Sequence, residues 1–252
     1  MGFAIIFFAF AALFAWAGEA CRGSSFIGSA IAAAAFYQAA MAEMFTGLMY
    51  LGASLFRINP GLLFKTPRGR VKLLIRFFCW PYLIFEMRAW KRYRARGHEP
   101  LFEEVRQGLF LGARVISSDV PELKRSGISA VLDMIAEFSA PPELVADDAF
   151  LYAAIPALDG TAPTLAELEQ GARFLEAALA AGRKALVHCT FGHGRSATMA
   201  AAALIVMGDA GTPEEALGIL KKLERKIWLS REQKRALENF AARRGRMKVE
   251  TP

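Results

Sequence analysis

Three apolar stretches open the chain, and a different rhythm follows them. Gly2 to Gly18 is a charge-free run of 17 residues, close to the ~20 that an α-helix needs to cross a bilayer core ~30 Å thick. Phe26 to Phe56 is a longer run of 31 residues interrupted only by Gln38 and Glu43, enough to span with tilt. Leu73 to Met87 is shorter and contains Arg76 and Pro81. Arg68, Arg70 and Lys72 precede it, and Arg88, Lys91, Arg92, Arg94 and Arg96 come after it. If this third stretch crossed the bilayer, one basic flank would lie outside, against the positive-inside tendency. It is therefore expected to lie in the interface as a kinked amphipathic segment, with Phe77, Phe78, Trp80 and Tyr82 in the acyl boundary.

From about Glu103 short apolar runs alternate with charged helical faces, which predicts an α/β domain with a central sheet flanked by helices. Gly108 to Val115 reads as an opening strand, and Asp119 as the cap of a short helix reaching Arg125. Ala130 to Ile135 and Phe150 to Ile155 suit central strands. Leu165, Leu168, Ala172, Leu175 and Leu179 recur at helical spacing between Thr164 and Ala181, with Gly182 as the stop. Lys184 to His188 is a buried strand. The chain thus divides into a transmembrane helical hairpin (1–56), a basic juxtamembrane segment (57–100) and an α/β domain (101–252).

Composition sharpens this division. A hydrophobic fraction of 54% is high for a wholly soluble chain, and 22% charged residues is too many for an all-membrane one. Glu19, Arg22 and Glu43 are the only formal charges before residue 57. The net charge of +7 is also local: residues 57–96 hold 11 Lys or Arg against the single acid Glu86, while 101–252 holds 19 basic and 20 acidic groups. A basic collar beside a membrane segment points to anionic lipid headgroups, not to nucleic acid, although a purely positional anchor fits as well.

The implied topology has the amino terminus inside, a short outer turn near Glu19 to Ser25, and the collar and α/β domain in the cytoplasm. Ala15, Trp16 and Ala17 resemble a signal cleavage site, but the basic region that precedes such a site is missing. Glu43 is read as snorkelling or facing the partner helix. Cys21, Cys79 and Cys189 fit no disulfide framework, and with His98, His188 and His193 they fit no metal pattern. No metal or cofactor is expected.

The chemistry is concentrated in VHCTFGHGRSATMAAAALIVMG, a strand that enters a two-glycine loop and leaves as an Ala-rich helix. Such a loop aims backbone N–H groups and the positive helix end at one point, forming a cradle for a doubly charged phosphate. Cys189 at its first position sits in that field, which favours the thiolate nucleophile. Arg195, six residues on, can offer its planar fork to two phosphate oxygens through the transition state. Thr190, Phe191, Gly192, His193 and Gly194 would line the bound phosphate.

The departing alkoxide needs a proton, and Asp159 in the loop IPALDGTAPT is the candidate acid, later activating the hydrolytic water. Asp133 sits within a strand, and Asp147 and Asp148 form an exposed-looking pair. Ser196 can donate to the sulfur and ease its departure. His188 is expected to be buried, either orienting the loop or simply filling the core. His193, at the crown, either touches substrate or faces solvent.

His188-Cys189-Thr190-Phe191-Gly192-His193-Gly194-Arg195-Ser196 resembles the H-C-x5-R-S/T signature of cysteine-dependent, dual-specificity-type phosphatases. The resemblance covers roughly residues 103–243. It implies a mostly parallel sheet flanked by helices, with Cys189, Arg195 and Asp159 catalytic. RSATMAAAALI, TPEEALGILKKLERKIWLSREQ and LDGTAPTLAEL are similar to the membrane-associated branch containing the phosphatidylglycerophosphate phosphatases. The sequence departs from that branch at Thr190, Phe191, His193 and Gly194, and keeps part of its acidic patch near Glu137. The motif and the resemblance together imply a membrane-anchored phosphatase acting through a phosphocysteine on a phosphorylated protein, alternatively on a lipid such as phosphatidylglycerophosphate or a phosphoinositide. A catalytically silent phosphate-binding scaffold is the non-enzyme alternative.

Overall fold

The computed structural model describes residues 2–22, 27–56 and 59–250. Helices α1 (Gly2–Arg22) and α2 (Ile27–Phe56) lie antiparallel, Phe3 stacking on Tyr50 near one end and Phe14 on Phe36 towards the other. Both are long and apolar enough to cross a membrane. Small residues let them approach closely: Ala4, Ala11 and Gly18 of α1 are buried, and a Cβ on Gly47 would stand 2.7 Å from the Phe8 ring. The expected outer turn falls largely on residues 23–26, outside the described residues.

A short helix, α3 (Gly61–Phe64), leads into α4 (Leu73–Phe78) and α5 (Trp80–Arg96). The break at Cys79 falls just ahead of Pro81, whose missing N–H costs nothing in a first helical turn. The outer side of this pair is apolar and exposed at Leu73, Leu74, Phe77, Ile84 and Phe85, as an interfacial segment requires. Tyr82 departs from expectation. It is 2% exposed and turned into the α/β domain, away from the acyl boundary, because its hydroxyl finds a buried carboxylate there, 2.8 Å from Glu137.

The segment before residue 101 is packed into the domain that comes after it. Lys65 Nζ lies 2.6 Å from Asp133 Oδ2 with both side chains buried, and Asn59 Nδ2 donates to the Pro156 carbonyl at 2.8 Å. Gly61 abuts that same carbonyl, where a Cβ would come within 1.9 Å of the oxygen. Burial pushes the Asp133 carboxyl up, but the Lys65 ammonium and the Ile135 N–H more than offset it and hold it below the ordinary range.

The sheet has five strands among the described residues, in the order β1-β2-β5-β3-β4. β1 (Phe102–Arg106) and β2 (Leu109–Gly112) form an antiparallel hairpin, turning at Gly108 with φ +82°. Sequence reading missed β1, whose FEEVR is too polar for a core strand and lies at the sheet edge. β3 (Ile128–Ile135), β4 (Leu151–Ala157) and β5 (Lys184–His188) pair in parallel, and β2 pairs in parallel with β5. Between β2 and β3 runs α6 (Val120–Arg125). Asp119 does not cap α6 with its side chain; its carboxylate accepts from the Ile116 N–H and from Arg94 of α5.

The short helix α7 (Pro142–Ala146) joins α6 on one face, over Val131, Leu144, Phe150 and Leu186. The other face carries α8 (Leu165–Ala180), α9 (Arg195–Met207), α10 (Pro213–Leu220) and α11 (Arg231–Glu250). Alanines along α9 let it lie deep against β5, where Ala200 to Leu204 are fully buried. Thr164 and Glu167 start α8 with reciprocal side chain–backbone bonds, fixing where the preceding loop ends.

Candidate active site

The carboxyl ends of the parallel strands bring three loops to one edge of the sheet, where α/β folds place their ligands. Cys189 follows β5, Glu137 follows β3 and Asp159 follows β4. The pairings Asp133 with His188 and Ile135 with Ala157 set these exits side by side.

Cys189 is buried, and its Sγ accepts from the Gly192 N–H at 3.3 Å and from Ser196 Oγ at 3.1 Å. Gly192 adopts φ +81°, and a Cβ there would meet Arg225 Nη1 at 1.9 Å and the Gly112 carbonyl oxygen at 2.9 Å. Arg225 itself is anchored through Nε to Glu103 at 2.8 Å and through Nη2 to the Pro100 carbonyl at 2.6 Å. The Thr190 carbonyl accepts from the Arg114 N–H, and the His193 carbonyl from the Trp228 N–H. The loop is therefore held from outside as well as by its own turn.

Arg195 is 1% exposed. Nη1 donates to both Glu137 oxygens, at 3.0 and 2.8 Å, and to the Ala157 carbonyl at 2.7 Å. Nη2 donates to Thr190 Oγ1 at 2.8 Å and lies 3.2 Å from Asp159 Oδ1. Nε has no partner among the described residues. The expected free fork is thus engaged by protein groups, with Nε buried and unpaired and Nη2 shared with Asp159. Burial works against the guanidinium's charge, but Glu137 and Asp159 outweigh it and hold Arg195 protonated.

Asp159 is partly exposed. Burial by the surrounding chain raises its carboxyl above the ordinary range, Arg195 pulls it down, and Glu137 raises it again, with a net upward displacement. Its backbone is clamped on both sides: the N–H donates to Glu137 Oε1 at 2.9 Å, and the carbonyl accepts from Tyr50 OH at 3.0 Å. Glu86 of α5 is also buried here. Its burial, with Glu137 and Asp159 nearby, pushes it up to about 9, so it is uncharged at neutral pH.

The two histidines part ways. His188 is buried, burial lowers its proton affinity, and neither ring nitrogen has a hydrogen-bond partner among the described residues. His193 Nε2 lies 2.8 Å from Glu99 Oε2, and Tyr93 packs edge-on against His193 and Phe191 while donating to the Phe191 carbonyl. His193 is thus a braced part of the crown. Of the residues expected at the site, Gly192 and Ser196 meet the Cys189 sulfur and Thr190 and Asp159 meet Arg195, whereas Phe191 and His193 pack against Tyr93 and Gly194 lies beside Gln233. Sequence reasoning did not place Tyr50, Tyr82 or Glu86 at the site, having put Tyr82 in the acyl boundary, or recognise Glu137 as the partner of Arg195; only the partial acidic patch hinted at the last.

A cysteine sulfur in a strand-to-helix loop, with a buried arginine and an aspartate whose carboxyl is raised above its ordinary range, is the constellation of cysteine-dependent phosphatases, which are phosphoric monoester hydrolases. Residues 109–243 match the model of the dual specificity phosphatase catalytic domain, and the chain belongs to that family. It is similar to the phosphatidylglycerophosphate phosphatase PTPMT2 of Arabidopsis thaliana, at 23% identity over 73% of this chain and 81% of the relative. Similarity to the phosphatidylglycerophosphate phosphatase PTPMT1 of the same plant is 24%, over 71% of this chain and 53% of that relative, so the chain spans about half of the latter's length. The crystal structure of PTPMT1 in complex with PI(5)P superposes with a TM-score of 0.54 at 25% identity, over 59% of this chain and 99% of that one.

Proposed function

We propose that this protein is a membrane-anchored phosphatase that hydrolyses the phosphomonoester of a phospholipid through a phosphocysteine, its catalytic domain on the cytoplasmic face. The observation that carries the lipid reading is the two-sidedness of α5. Tyr82 on its inner side bonds to Glu137 at the site, while Ile84 and Phe85 on its outer side stand exposed for the acyl boundary. Phe3 at the start of α1 reaches the acid loop, 2.6 Å from where a Cβ on Gly160 would be. A cradle so placed meets headgroups without leaving the bilayer surface. A cavity of about 500 Å³ beside the acid loop, lined by Ala53, Thr161, Pro163, Leu165, Arg231 and Arg235, has room for the headgroup of such a lipid, though not for its acyl chains. The relatives named as phosphatidylglycerophosphate phosphatases and the PI(5)P complex support the same substrate class. The basic collar after α2 supports the cytoplasmic orientation and contact with anionic headgroups.

In the reaction, the phosphate enters over the Gly192 amide and Arg195 Nε, and displaces Asp159 from Nη2. The incoming negative charge further favours the protonated Asp159. Cys189 Sγ forms a bond to phosphorus as the ester P–O bond breaks, and Asp159 gives its proton to the leaving oxygen. Asp159, now a carboxylate, takes a proton from water. The water oxygen attacks phosphorus, the S–P bond breaks, and Ser196 receives the returning thiolate with its hydroxyl hydrogen bond.

The test is phosphate release by the full chain in liposomes that carry either lipid phosphomonoesters or membrane-tethered phosphopeptides. Lipid turnover at least tenfold faster supports the proposal. Preference for the phosphopeptides transfers it to the protein-phosphatase reading, which the same tether would also serve.

A further inference from the structure

We propose that the amino-terminal hairpin is a working part of the catalytic site: Tyr50 of α2 and Tyr82 of α5 are positioning residues that hold Glu137 and the Asp159 loop, and through them aim Arg195 and the acid. This rests on the phosphatase reading above and adds to it a requirement for residues far outside the cysteine loop.

Four polar groups meet at one carboxylate oxygen and the loop beside it. Tyr82 OH donates to Glu137 Oε1 at 2.8 Å, and that same oxygen accepts the Asp159 N–H at 2.9 Å and Arg195 Nη1 at 3.0 Å. Tyr50 OH lies 3.2 Å from Tyr82 OH and donates to the Asp159 carbonyl at 3.0 Å. The peptide groups on both sides of Asp159 are therefore fixed, one by Glu137 and the other by Tyr50. Gly160, with φ +73°, comes at once, so the loop turns sharply directly after the clamp.

The tyrosines are held in turn by the hairpin. Phe3 and Phe7 of α1 stack on Tyr50 at centroid distances of 5.4 and 5.3 Å. Phe7 meets Tyr82 edge-on at 5.6 Å, and Phe64 does so at 6.5 Å. With both phenols buried, each hydroxyl needs a partner, and these carboxylate and backbone acceptors supply it. A hydroxyl bound to a carboxylate that also carries Arg195 is in a position to set the angle of both.

The titratable and charged groups facing Asp159 are Arg195 from α9, Glu137 beyond β3, Glu86 and Tyr82 from α5, Tyr50 from α2 and His193 from the cysteine loop. Releasing the clamp lets the carboxyl turn towards water and lose part of the burial that raises it. The basic limb of the pH–rate profile then moves to lower pH.

The experiment uses the full chain in detergent micelles with a soluble aryl phosphate, comparing wild type, Tyr50→Phe, Tyr82→Phe and Cys189→Ser. Phe14→Leu, at the distant Phe14–Phe36 contact of the hairpin, is the control. Each Tyr→Phe change keeps the ring and removes one hydroxyl. Loss of a hydrogen bond to a charged group predicts kcat about tenfold or more lower for Tyr82→Phe. For both variants the basic limb moves to the acid side, while KM changes by less than about threefold.

The position of the limb does not depend on how much enzyme is folded, so it remains readable if a variant is less stable. A melting temperature that falls while kcat and the limb stay at wild-type values in both variants overturns the positioning role and leaves the phosphatase intact. Equal losses in Phe14→Leu also overturn it, because they reduce the effect to general loosening of the hairpin. Hydrolysis that is absent from wild type, or unaffected by Cys189→Ser, overturns the phosphatase reading and the positioning role together.

Discussion

Glu137→Gln removes one negative charge from the most enclosed part of the site and changes little in shape. Both Glu137 oxygens lie within 3.0 Å of Arg195 Nη1, and both side chains are at most 1% exposed. Removing one partner of a buried ion pair costs about 3–5 kcal/mol. Ala157 O, Thr190 Oγ1 and Asp159 Oδ1 remain on the guanidinium, so the lower end, about 3 kcal/mol, is expected from a total of order 5–15 kcal/mol. Urea unfolding of the full chain in micelles measures it. The same change acts on the acid. Glu137 raises the Asp159 carboxyl and Arg195 lowers it; with the first gone and the second freed, Asp159 loses its proton at lower pH. On the proposed mechanism the rate needs that proton, so the basic limb of kcat/KM is expected to move towards acid. Stability within about 0.5 kcal/mol of wild type, together with an unmoved limb, would refute the reasoning.

Other substitutions probe separate parts of the molecule. Asp159→Asn should lower kcat on an alkyl phosphate by roughly 10²–10⁴ and flatten the basic limb, with a smaller loss on an aryl phosphate whose leaving group needs less protonation. Lys65→Met strands the buried Asp133 and should destabilise by about 3–5 kcal/mol at neutral pH, as read by urea unfolding. Because Asp133 is held below its unfolded value of ~3.9, that stabilisation is present above this pH and is lost as pH falls through the folded value, so wild type and variant should converge in acid. Gly192→Ala places a Cβ 1.9 Å from Arg225 Nη1 at φ +81°, and should abolish phosphate release while far-ultraviolet circular dichroism stays native.

What was legible in the chain was local. Cys189 through Ser196 declare themselves because cradle, sulfur and guanidinium come from one strand, loop and helix, and the strand Lys184–His188 is found at its expected bounds. The helix expected from Thr164 to Ala181 is found as Leu165–Ala180, since its capping box and apolar spacing are both short-range. Glu137 was not legible as the arginine's partner because the two are 58 positions apart and meet only when β3 and β5 pair. Tyr50 and Tyr82 were hidden differently: each lies in an apolar run where an aromatic reads as lipid-facing, and only the fold shows which side of the helix is buried. Lys65 and Arg94 likewise counted towards a solvated basic collar, yet both pair with acids of the α/β domain. Asp119 sits where a cap belongs, but Arg94 and the Ile116 N–H claim its carboxylate.

The central claim is that the phosphoryl group passes through the Cys189 sulfur. Rapid acid quench of the full chain turning over a ³²P-labelled phosphomonoester, with peptide mapping of the quenched protein, tests it directly, and Ser196→Ala, which removes the hydroxyl on the Cys189 sulfur, serves to slow the second step. Acid-stable label is expected on the peptide containing Cys189, and none in Cys189→Ser. Label on another residue, or unlabelled protein with phosphate release that persists in Cys189→Ser, would contradict it.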